Sequence, residues 1–179
     1  MDRLESHRLF FAQWITAAAG VPARGGRLEA ALGSTPRERF LGPGPWRAFS
    51  PVGYITTPTD DPAFVYQDFA IALSAEATIN NGQPALHALC LTALGVRDGE
   101  TAVHVGAGTG YYTAVLARLV GADGRVIAYE IDAELAARAE KCLEDSPNVT
   151  VERRSGSAGA LPACDIVYVN AGATAPAFT

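Results

Sequence analysis

The chain has 179 residues, of which 49% are hydrophobic and 18% are charged. That length suits one domain of ordinary size, and the composition supports a buried core and excludes a disordered chain. The formal net charge of −5 argues against a wholly basic nucleic-acid binder. No apolar run approaches the roughly 18 residues of a membrane span, so none is expected.

The first third of the chain is predicted to be irregular. Apolar residues such as Leu9 and Ile15 indicate a short amphipathic helix that ends near Gly20, and a second short helix is expected over 28–32. The Gly-Pro-Gly-Pro run at 42–45 and the prolines that follow it exclude a long helix or a central strand. We therefore expect a helical and irregular N-terminal arm.

From Pro84 onward, the pattern predicts strands that alternate with helices. The first helix is expected to bury a stripe of Leu86, Leu89, Cys90 and Leu94. The elements expected after it are strand 101–105, helix 111–120, strand 125–130, helix 133–143, strand 148–152 and strand 165–169. Such alternation predicts an α/β fold with a parallel sheet, and the nearly all-apolar last strand is expected to be covered on both faces.

A glycine-rich turn joins the first of these strands to the helix behind it. Gly106, Gly108 and Gly110 lie where the chain turns sharply and where a ligand must approach bare backbone. Their G-x-G-x-G spacing differs from the G-x-G-x-x-G of dinucleotide-binding folds. It favours a nucleoside ligand without a pyrophosphate, with S-adenosylmethionine as the leading candidate. A plain tight turn is the alternative interpretation of the glycines alone.

Glu130 ends the second strand, about 20 residues beyond the glycine turn, where an acid can receive ribose hydroxyls. A carboxylate accepts two hydrogen bonds from such a diol without being protonated. The alternative is a solvated acid, as we expect for Asp132 and Glu134. Because ligands bind at the carboxyl ends of strands in open sheets, the turn and this carboxylate together predict an adenosine-type pocket.

The three cysteines Cys90, Cys142 and Cys164 are widely spaced and odd in number. They are predicted to be reduced, mostly buried thiols of a cytoplasmic protein rather than disulfide partners or zinc ligands. No metal is expected, because no set of potential ligands has a suitable spacing. The charged start of the chain has no apolar run behind it and is not typical of a secretory signal.

The segment 103–119, VHVGAGTGYYTAVLARL, resembles the cofactor motif of the protein-L-isoaspartate O-methyltransferases. Residues 35–40 are similar to that family's Pro-Arg-x-x-Phe element, and 65–68 are similar to its Tyr-x-Asp element. Residues 78–88 resemble the segment before its first core helix, and 165–172 resemble its fourth-strand motif. The elements occur in family order over nearly the whole chain.

The resemblance implies an S-adenosylmethionine-dependent O-methyltransferase of class I, with a Rossmann-like parallel sheet of strand order 3-2-1-4. The later strands of the family are missing, so the chain is expected to be truncated and its fourth strand to be an exposed or partner-covered edge. Residues 1–83 would form the arm and a substrate-side segment, and 84–179 the cofactor-binding core. The methyl acceptor would be a carboxylate or similar oxygen nucleophile of a protein, peptide or small molecule, with no nucleic acid or membrane as partner.

The resemblance also implies roles for individual residues. The glycines would cradle the methionine and ribose parts of the cofactor, Glu130 would hold the ribose hydroxyls, and Ile131 would lie against adenine. The expected cofactor-binding residues are His104, Gly106, Ala107, Gly108, Gly110, Tyr111, Thr113, Glu130, Ile131, Gly156 and Ser157. The residues expected at the acceptor and the reaction centre are Asn80, Asn81, Gln83 and Asn170.

Three positions depart from the family pattern. His104 stands where the family usually has an acid, and Ser157 stands where it usually has Asp. The family's Thr-Ile-Ser-x-Pro becomes TINNGQP at 78–84, which removes the serine and adds two residues. The leading hypothesis is a divergent methyltransferase, and the alternative is a cofactor-binding module without turnover. The glycine spacing disfavours a nicotinamide-dependent oxidoreductase.

Overall fold

The computed structural model of the chain describes residues 2–21, 26–74, 76 and 79–171. Thr78 and Gly172, which belong to two of the family-like segments, lie outside these ranges. The chain divides into two compact units, Met1–Gly95 and Val96–Thr179. The domain division expected between residues 83 and 84 stays a prediction. None of the described helices is both long and apolar enough to cross a membrane.

The first unit is built on three helices that pack on one another. The longest of them buries Phe11, Ala12, Ile15 and Thr16, which share one helix face. The helices are α1 (Arg3–Ala18), α2 (Arg27–Gly33) and α3 (Pro84–Leu94), with short 3-10 helices at Arg37–Phe40 and Pro62–Val65. The prediction of two helices before the proline-rich stretch is therefore right, although the first is longer than expected.

Helix α3 has the predicted bounds but buries a different face. Leu86 and Leu89 are 55% and 52% exposed, whereas His87 and Leu91 are buried. The stripe predicted from the sequence is therefore wrong. Nearly every residue of this helix is apolar, so the pattern could not choose the face, and packing against α1 and α2 decides it.

A small antiparallel sheet lies in the stretch predicted to be irregular. Strand β1 (Arg47–Ser50) pairs with strand β2 (Gly53–Thr56). The segments 70–73 and 79–81 continue this sheet on the other side of β1. The bridges that add them are Ala48–Ile71 and Ala72–Asn80. The sheet could not be predicted from the sequence, because its strands are very short and the surrounding prolines dominate the local signal.

The second unit is a four-stranded parallel sheet with the order β5-β4-β3-β6, which confirms the predicted α/β fold and the strand order 3-2-1-4. Its elements are β3 (Thr101–Val105), α4 (Tyr111–Val120), β4 (Arg125–Tyr129), α5 (Ala133–Cys142), β5 (Val149–Glu152) and β6 (Ile166–Val169). Each predicted boundary is met to within one residue. Parallel pairing places the carboxyl ends of all four strands at one edge of the sheet.

Strand β6 is an edge strand within the described part of the chain, as expected. It is covered on one face only, because Ile166 and Tyr168 are buried while Val167 and Val169 are 41% and 42% exposed. The expectation of cover on both faces is therefore wrong. Successive side chains of a strand point to opposite faces, and only one face of β6 meets the core.

Candidate active site

The glycine turn connects β3 to α4 at the carboxyl edge of the parallel sheet. The backbone N–H groups of Gly106 and Ala107 both donate to the Tyr129 carbonyl oxygen, at 2.9 and 3.1 Å. Gly106 has φ +80°, and a Cβ there would lie 2.8 Å from the backbone oxygen of Asn170. The turn is thus wedged between the ends of β4 and β6, and only glycine fits its first position.

Gly110 begins helix α4 and lets it pack closely on its neighbour. It has φ +93°, and a Cβ there would lie 2.7 Å from Leu143 Cδ1. As the N-cap, it brings no side chain to bond the first-turn N–H groups. The positive end of the α4 dipole, with Tyr111 at its first position, therefore faces the same sheet edge as the turn.

Glu130 is tied directly to the glycine turn. Its Oε2 accepts a 2.7 Å hydrogen bond from the Gly108 N–H, and its Oε1 accepts one of 3.0 Å from the Asp132 N–H. The residue is only 7% exposed. Each carboxylate oxygen has a second lone pair, so the oriented carboxylate can still accept from ligand hydroxyls. The neighbouring Ile131 is 75% exposed and offers an apolar surface beside it.

His104 and Thr113 lie beneath the turn, and both are 0% exposed. His104 Nδ1 is 2.8 Å from Thr113 Oγ1, and the imidazole stacks on the Tyr168 ring with centroids 5.0 Å apart. These contacts join β3 to the first turn of α4 and to β6. A role of these two residues in cofactor binding stays a prediction. Because both are buried beneath the turn, that role would be to hold the turn in place.

The loop after β5 closes on the same edge. A Cβ on Gly156 would lie 2.7 Å from Val105 Cγ2, so this loop packs on the end of β3. Ser157 is exposed, and its Oγ lies 2.8 Å from Ser155 Oγ. The Asn170 N–H donates to the Val105 carbonyl at 2.8 Å. The predicted residues of the second unit are thus grouped around the carboxyl end of β3.

Asn80 and Gln83 lie in the first unit, and their side-chain amides donate hydrogen bonds to other side chains of that unit. Asn80 Nδ2 donates to the Tyr54 hydroxyl at 3.2 Å. Gln83 Nε2 donates to Asp68 Oδ2 at 3.0 Å, and Asp68 Oδ1 accepts from the Ala85 N–H at 2.8 Å, which caps α3. The sequence indicated only a packing role for Tyr54 and no individual role for Asp68. The resemblance of residues 65–68 to the family's Tyr-x-Asp element could have pointed to Asp68 as a residue of this segment.

Asn81 is 6% exposed, and its Oδ1 accepts a 2.7 Å hydrogen bond from the Ile71 N–H. Its Nδ2 is buried and has no partner among the described residues. An unmade hydrogen bond of this kind costs about 1–3 kcal/mol. Asn81 therefore differs from Asn80 and Gln83, because its side-chain NH₂ group makes no hydrogen bond among the described residues.

His87 packs against the turn that follows Asn81. The space beside Gly82, which has φ +74°, is filled by the imidazole, so a Cβ there would collide with the ring. Burial lowers the pKa of His87 to about 4, and the positive charge of Arg37 adds to the effect. The ring is therefore neutral at physiological pH and supports the 80–83 segment from α3.

Because His87 is buried in its neutral form, we expect the free energy of unfolding to decrease as the pH is lowered. The folded pKa of about 4 lies below the ordinary 6.5, so the unfolded chain binds the proton first as the pH drops. The contribution of neutral His87 to the free energy of unfolding is fully present above pH ~6.5. It falls by roughly 3 kcal/mol as the pH drops to ~4, at about 1.4 kcal/mol per pKa unit. Urea unfolding across that range measures it. His87→Gln should flatten the profile, and the exposed His7→Gln should not; an unchanged slope in His87→Gln contradicts the assignment.

The described residues hold no group of three or more His, Cys, Asp or Glu that could bind a metal ion. The three cysteines are half-buried, and none of them forms a disulfide within the part of the chain that the structure describes. Burial raises the pKa of the Cys164 thiol, with the Asp165 charge adding to it. That thiol is therefore less nucleophilic than an ordinary cysteine at neutral pH.

Comparison with known proteins then decides the family. The family model described as protein-L-isoaspartate(D-aspartate) O-methyltransferase matches residues 52–177, which is more than half of the chain. The chain belongs to this family. The match includes the glycine turn, Glu130 and the 80–83 segment, so it confirms the resemblance seen in the sequence motifs.

Several curated relatives carry the same family name. A protein-L-isoaspartate O-methyltransferase 2 of Anaeromyxobacter sp. is 35% identical over 140 residues, covering 78% of this chain and 48% of the relative. An Ignicoccus hospitalis protein-L-isoaspartate O-methyltransferase is 38% identical over 112 residues, covering 60% of this chain and 52% of the relative. The chain thus spans about half the length of the curated relatives it matches.

Solved structures agree on the fold. A structure named protein-L-isoaspartate O-methyltransferase has a TM-score of 0.73 at 25% identity and covers 92% of this chain and 48% of its own. A Plasmodium falciparum structure named for the same activity, in complex with S-adenosyl-L-homocysteine, has a TM-score of 0.70 at 16% identity. It covers 94% of this chain and 75% of its own, and it supports the family fold alone.

Proposed function

We propose that this protein-L-isoaspartate O-methyltransferase family member transfers a methyl group from S-adenosylmethionine to a carboxylate oxygen. The acceptor is a protein or peptide, or a smaller carboxylic acid. The observation that carries the proposal is the Glu130 carboxylate, held by the Gly108 N–H at the mouth of the glycine turn. This arrangement presents a fixed hydrogen-bond acceptor beside bare backbone.

The residues at the carboxyl edge fit this cofactor. Glu130 keeps lone pairs free for two ribose hydroxyls, and Ile131, at 75% exposure, can lie against an adenine face. A side chain at Gly106 would collide with Asn170 and fill the space beside the turn. The open N-terminus of α4 suits the carboxylate of the methionine part.

The chemistry asks little acid–base work of the chain. S-adenosylmethionine supplies an electrophilic methyl group on a sulfonium that is its own leaving group. An ionised acceptor carboxylate is already nucleophilic, so the residues mainly orient it and exclude water, an effect worth up to roughly 7–11 kcal/mol in favourable cases. We propose that this orienting role falls to Asn170 and to the 80–83 segment with Asn80, Asn81 and Gln83.

A cofactor-binding module without turnover is the second candidate. The intramolecular hydrogen bonds of Asn80 and Gln83 favour it, because these side chains have part of their capacity already used. We also propose a cytoplasmic location, which rests on three cysteines that form no disulfide among the described residues. The net charge of −5 supports the absence of a nucleic-acid partner.

Calorimetry of the full chain with S-adenosylhomocysteine tests cofactor binding, and transfer of labelled methyl groups to an L-isoaspartyl peptide tests turnover. Binding together with transfer supports the methyltransferase. Binding without transfer to that peptide or to small carboxylic acids supports the module. No binding at high micromolar ligand contradicts both, and thermal stabilisation by NAD instead would revive the oxidoreductase.

Glu130→Gln is expected to weaken S-adenosylhomocysteine binding by about 10- to 100-fold, the value of one or two hydrogen bonds to a charged group. The amide keeps the shape but turns an NH₂ toward one of the two backbone donors that Glu130 now accepts from. Glu134→Gln is the matched control, because Glu134 is an exposed acid on the neighbouring helix. Equal dissociation constants for the wild type and Glu130→Gln would contradict the proposed ribose contact.

A further inference from the structure

The loop that follows β5 is held by the side chain of Arg154. Its Nη1 donates a 2.9 Å hydrogen bond to the carbonyl oxygen of Ala158, and its Nε lies 3.4 Å from Glu152 Oε2. Its Nη2 donates a 3.2 Å hydrogen bond to the Tyr129 hydroxyl, and its Cζ lies 4.7 Å from the centroid of that ring. Arg154 therefore fastens the loop to the end of β4.

Tyr129 is also the residue that receives the glycine turn. It is 2% exposed, and its carbonyl oxygen accepts the first two N–H groups of the turn. The next residue is Glu130, whose own N–H donates to the Glu152 carbonyl at the end of β5, at 3.1 Å. One buried tyrosine thus connects Arg154 to the strand end that carries both the turn and the candidate ribose-binding carboxylate.

The loop lies close to the end of the neighbouring strand. A Cβ on Gly156 would lie 2.7 Å from Val105 Cγ2, so the loop backbone is already in contact with β3. Within the loop, the Ser157 N–H donates to Ser155 Oγ at 3.2 Å. The backbone cannot move closer to β3, and the hydrogen bond from Arg154 opposes movement in the other direction.

The neighbouring Arg153 makes a different kind of contact. It pairs with Glu140 on α5, and the two side chains are 52% and 39% exposed. An exposed ion pair of this kind contributes little to stability. The two arginines share a charge and a length, but Arg153 is directed at a helix surface and Arg154 at the edge of the sheet where the candidate site lies.

We propose that Arg154 is a positioning residue for the cofactor and sets the affinity for its nucleoside part. This inference rests on the proposed function and requires no contact between Arg154 and the cofactor. The side chain acts through the loop after β5 and through Tyr129, which directly precedes Glu130. Arginine suits this role, because its planar fork can donate to a carbonyl oxygen and to a hydroxyl in two directions at once.

Calorimetry of the full chain with S-adenosylhomocysteine and with methylthioadenosine, which lacks the amino-acid end, tests the proposal. Arg154→Met is expected to raise both dissociation constants by about 5- to 30-fold. This is less than two buried hydrogen bonds from a charged group would give, because Arg154 is 41% exposed. Arg153→Met is the matched control and should leave both constants unchanged. Wild-type affinity in Arg154→Met, or a loss with S-adenosylhomocysteine alone, overturns the proposal.

Two measurements separate positioning from a merely structural role. Loss of folded chain would lower the number of binding sites per chain, whereas a displaced loop keeps one site and lowers its affinity. In turnover, the KM of S-adenosylmethionine should rise while kcat and the KM of the peptide stay unchanged. Arg154→Lys should restore part of the affinity, because an ammonium can reach one of the two partners but not both.

Tyr129→Phe serves as the second variant if Arg154→Met unfolds. It removes only the hydroxyl that accepts from Arg154 and should raise the dissociation constants by about 2- to 5-fold. In the double variant it should add nothing to Arg154→Met, since the two residues act through one contact. Additive losses would overturn the proposed coupling.

The two proposals fail in different measurements. A wild-type chain that does not bind S-adenosylhomocysteine contradicts the proposed function. A wild-type chain that binds it, together with unchanged affinity in folded Arg154→Met and Tyr129→Phe chains, overturns this inference alone.

Discussion

Replacing Arg37 by Met is expected to lower the free energy of unfolding by roughly 3–5 kcal/mol. Arg37 is 0% exposed, and its guanidinium donates to the carbonyl oxygens of Val65, Gln67 and Phe69 at 2.5–2.9 Å. Met fills similar volume but leaves these carbonyls without their buried donors. Urea unfolding of the full chain measures the loss.

Two further variants sharpen this result. Arg39→Met makes the same chemical change at an exposed position of the same 3-10 helix and should cost less than about 1 kcal/mol. Arg37→Lys should recover only part of the loss, because an ammonium cannot reproduce the planar fork that reaches three carbonyls. A loss below about 1 kcal/mol in Arg37→Met would contradict the structural role.

Gly106→Ala is expected to abolish measurable S-adenosylhomocysteine binding and to lower the free energy of unfolding by about 2–4 kcal/mol. The residue has φ +80°, and its Cβ would meet the backbone oxygen of Asn170 at 2.8 Å, an atom that cannot easily move. Relief of this contact displaces the turn and disturbs the hydrogen bond from the Gly108 N–H to Glu130. Calorimetry and urea unfolding measure the two effects separately.

Gly99→Ala is the control that separates the cost of the left-handed backbone conformation from the cost of the Cβ collision at Gly106. Gly99 has φ +81°, nearly the value of Gly106, but nothing lies within 4 Å of its Cβ position. Its Ala variant should cost only the roughly 1–2 kcal/mol of the left-handed conformation and should keep full affinity for S-adenosylhomocysteine. Equal losses in the two variants would show that close packing of the turn contributes nothing.

The elements of the parallel sheet were predictable because their signals are local. A short apolar run bounded by turn residues predicted β3, and Asp123-Gly124 marked the turn before β4. The glycine turn and Glu130 were likewise predictable, since their spacing along the chain reflects the strand-turn-helix-strand unit itself. The order of the strands came from the family resemblance.

Tertiary contacts decided the rest. The face that α3 buries depends on α1 and α2, and the small sheet depends on bridges such as Ala48–Ile71 between distant residues. The pairing of His104 with Thr113 likewise needs β3 and α4 to be packed.

The acceptor-side segment shows the division most clearly. The sequence by itself determined that the family pattern changes at 78–84 and that amides replace the serine. Only the tertiary structure shows that the Asn80 side chain points outward to Tyr54. The Asn81 side chain points inward, where its NH₂ group has no hydrogen-bond partner among the described residues. The physical reason is that strand pairing with the 70–73 segment sets which of two adjacent side chains is buried, and no local pattern encodes that register.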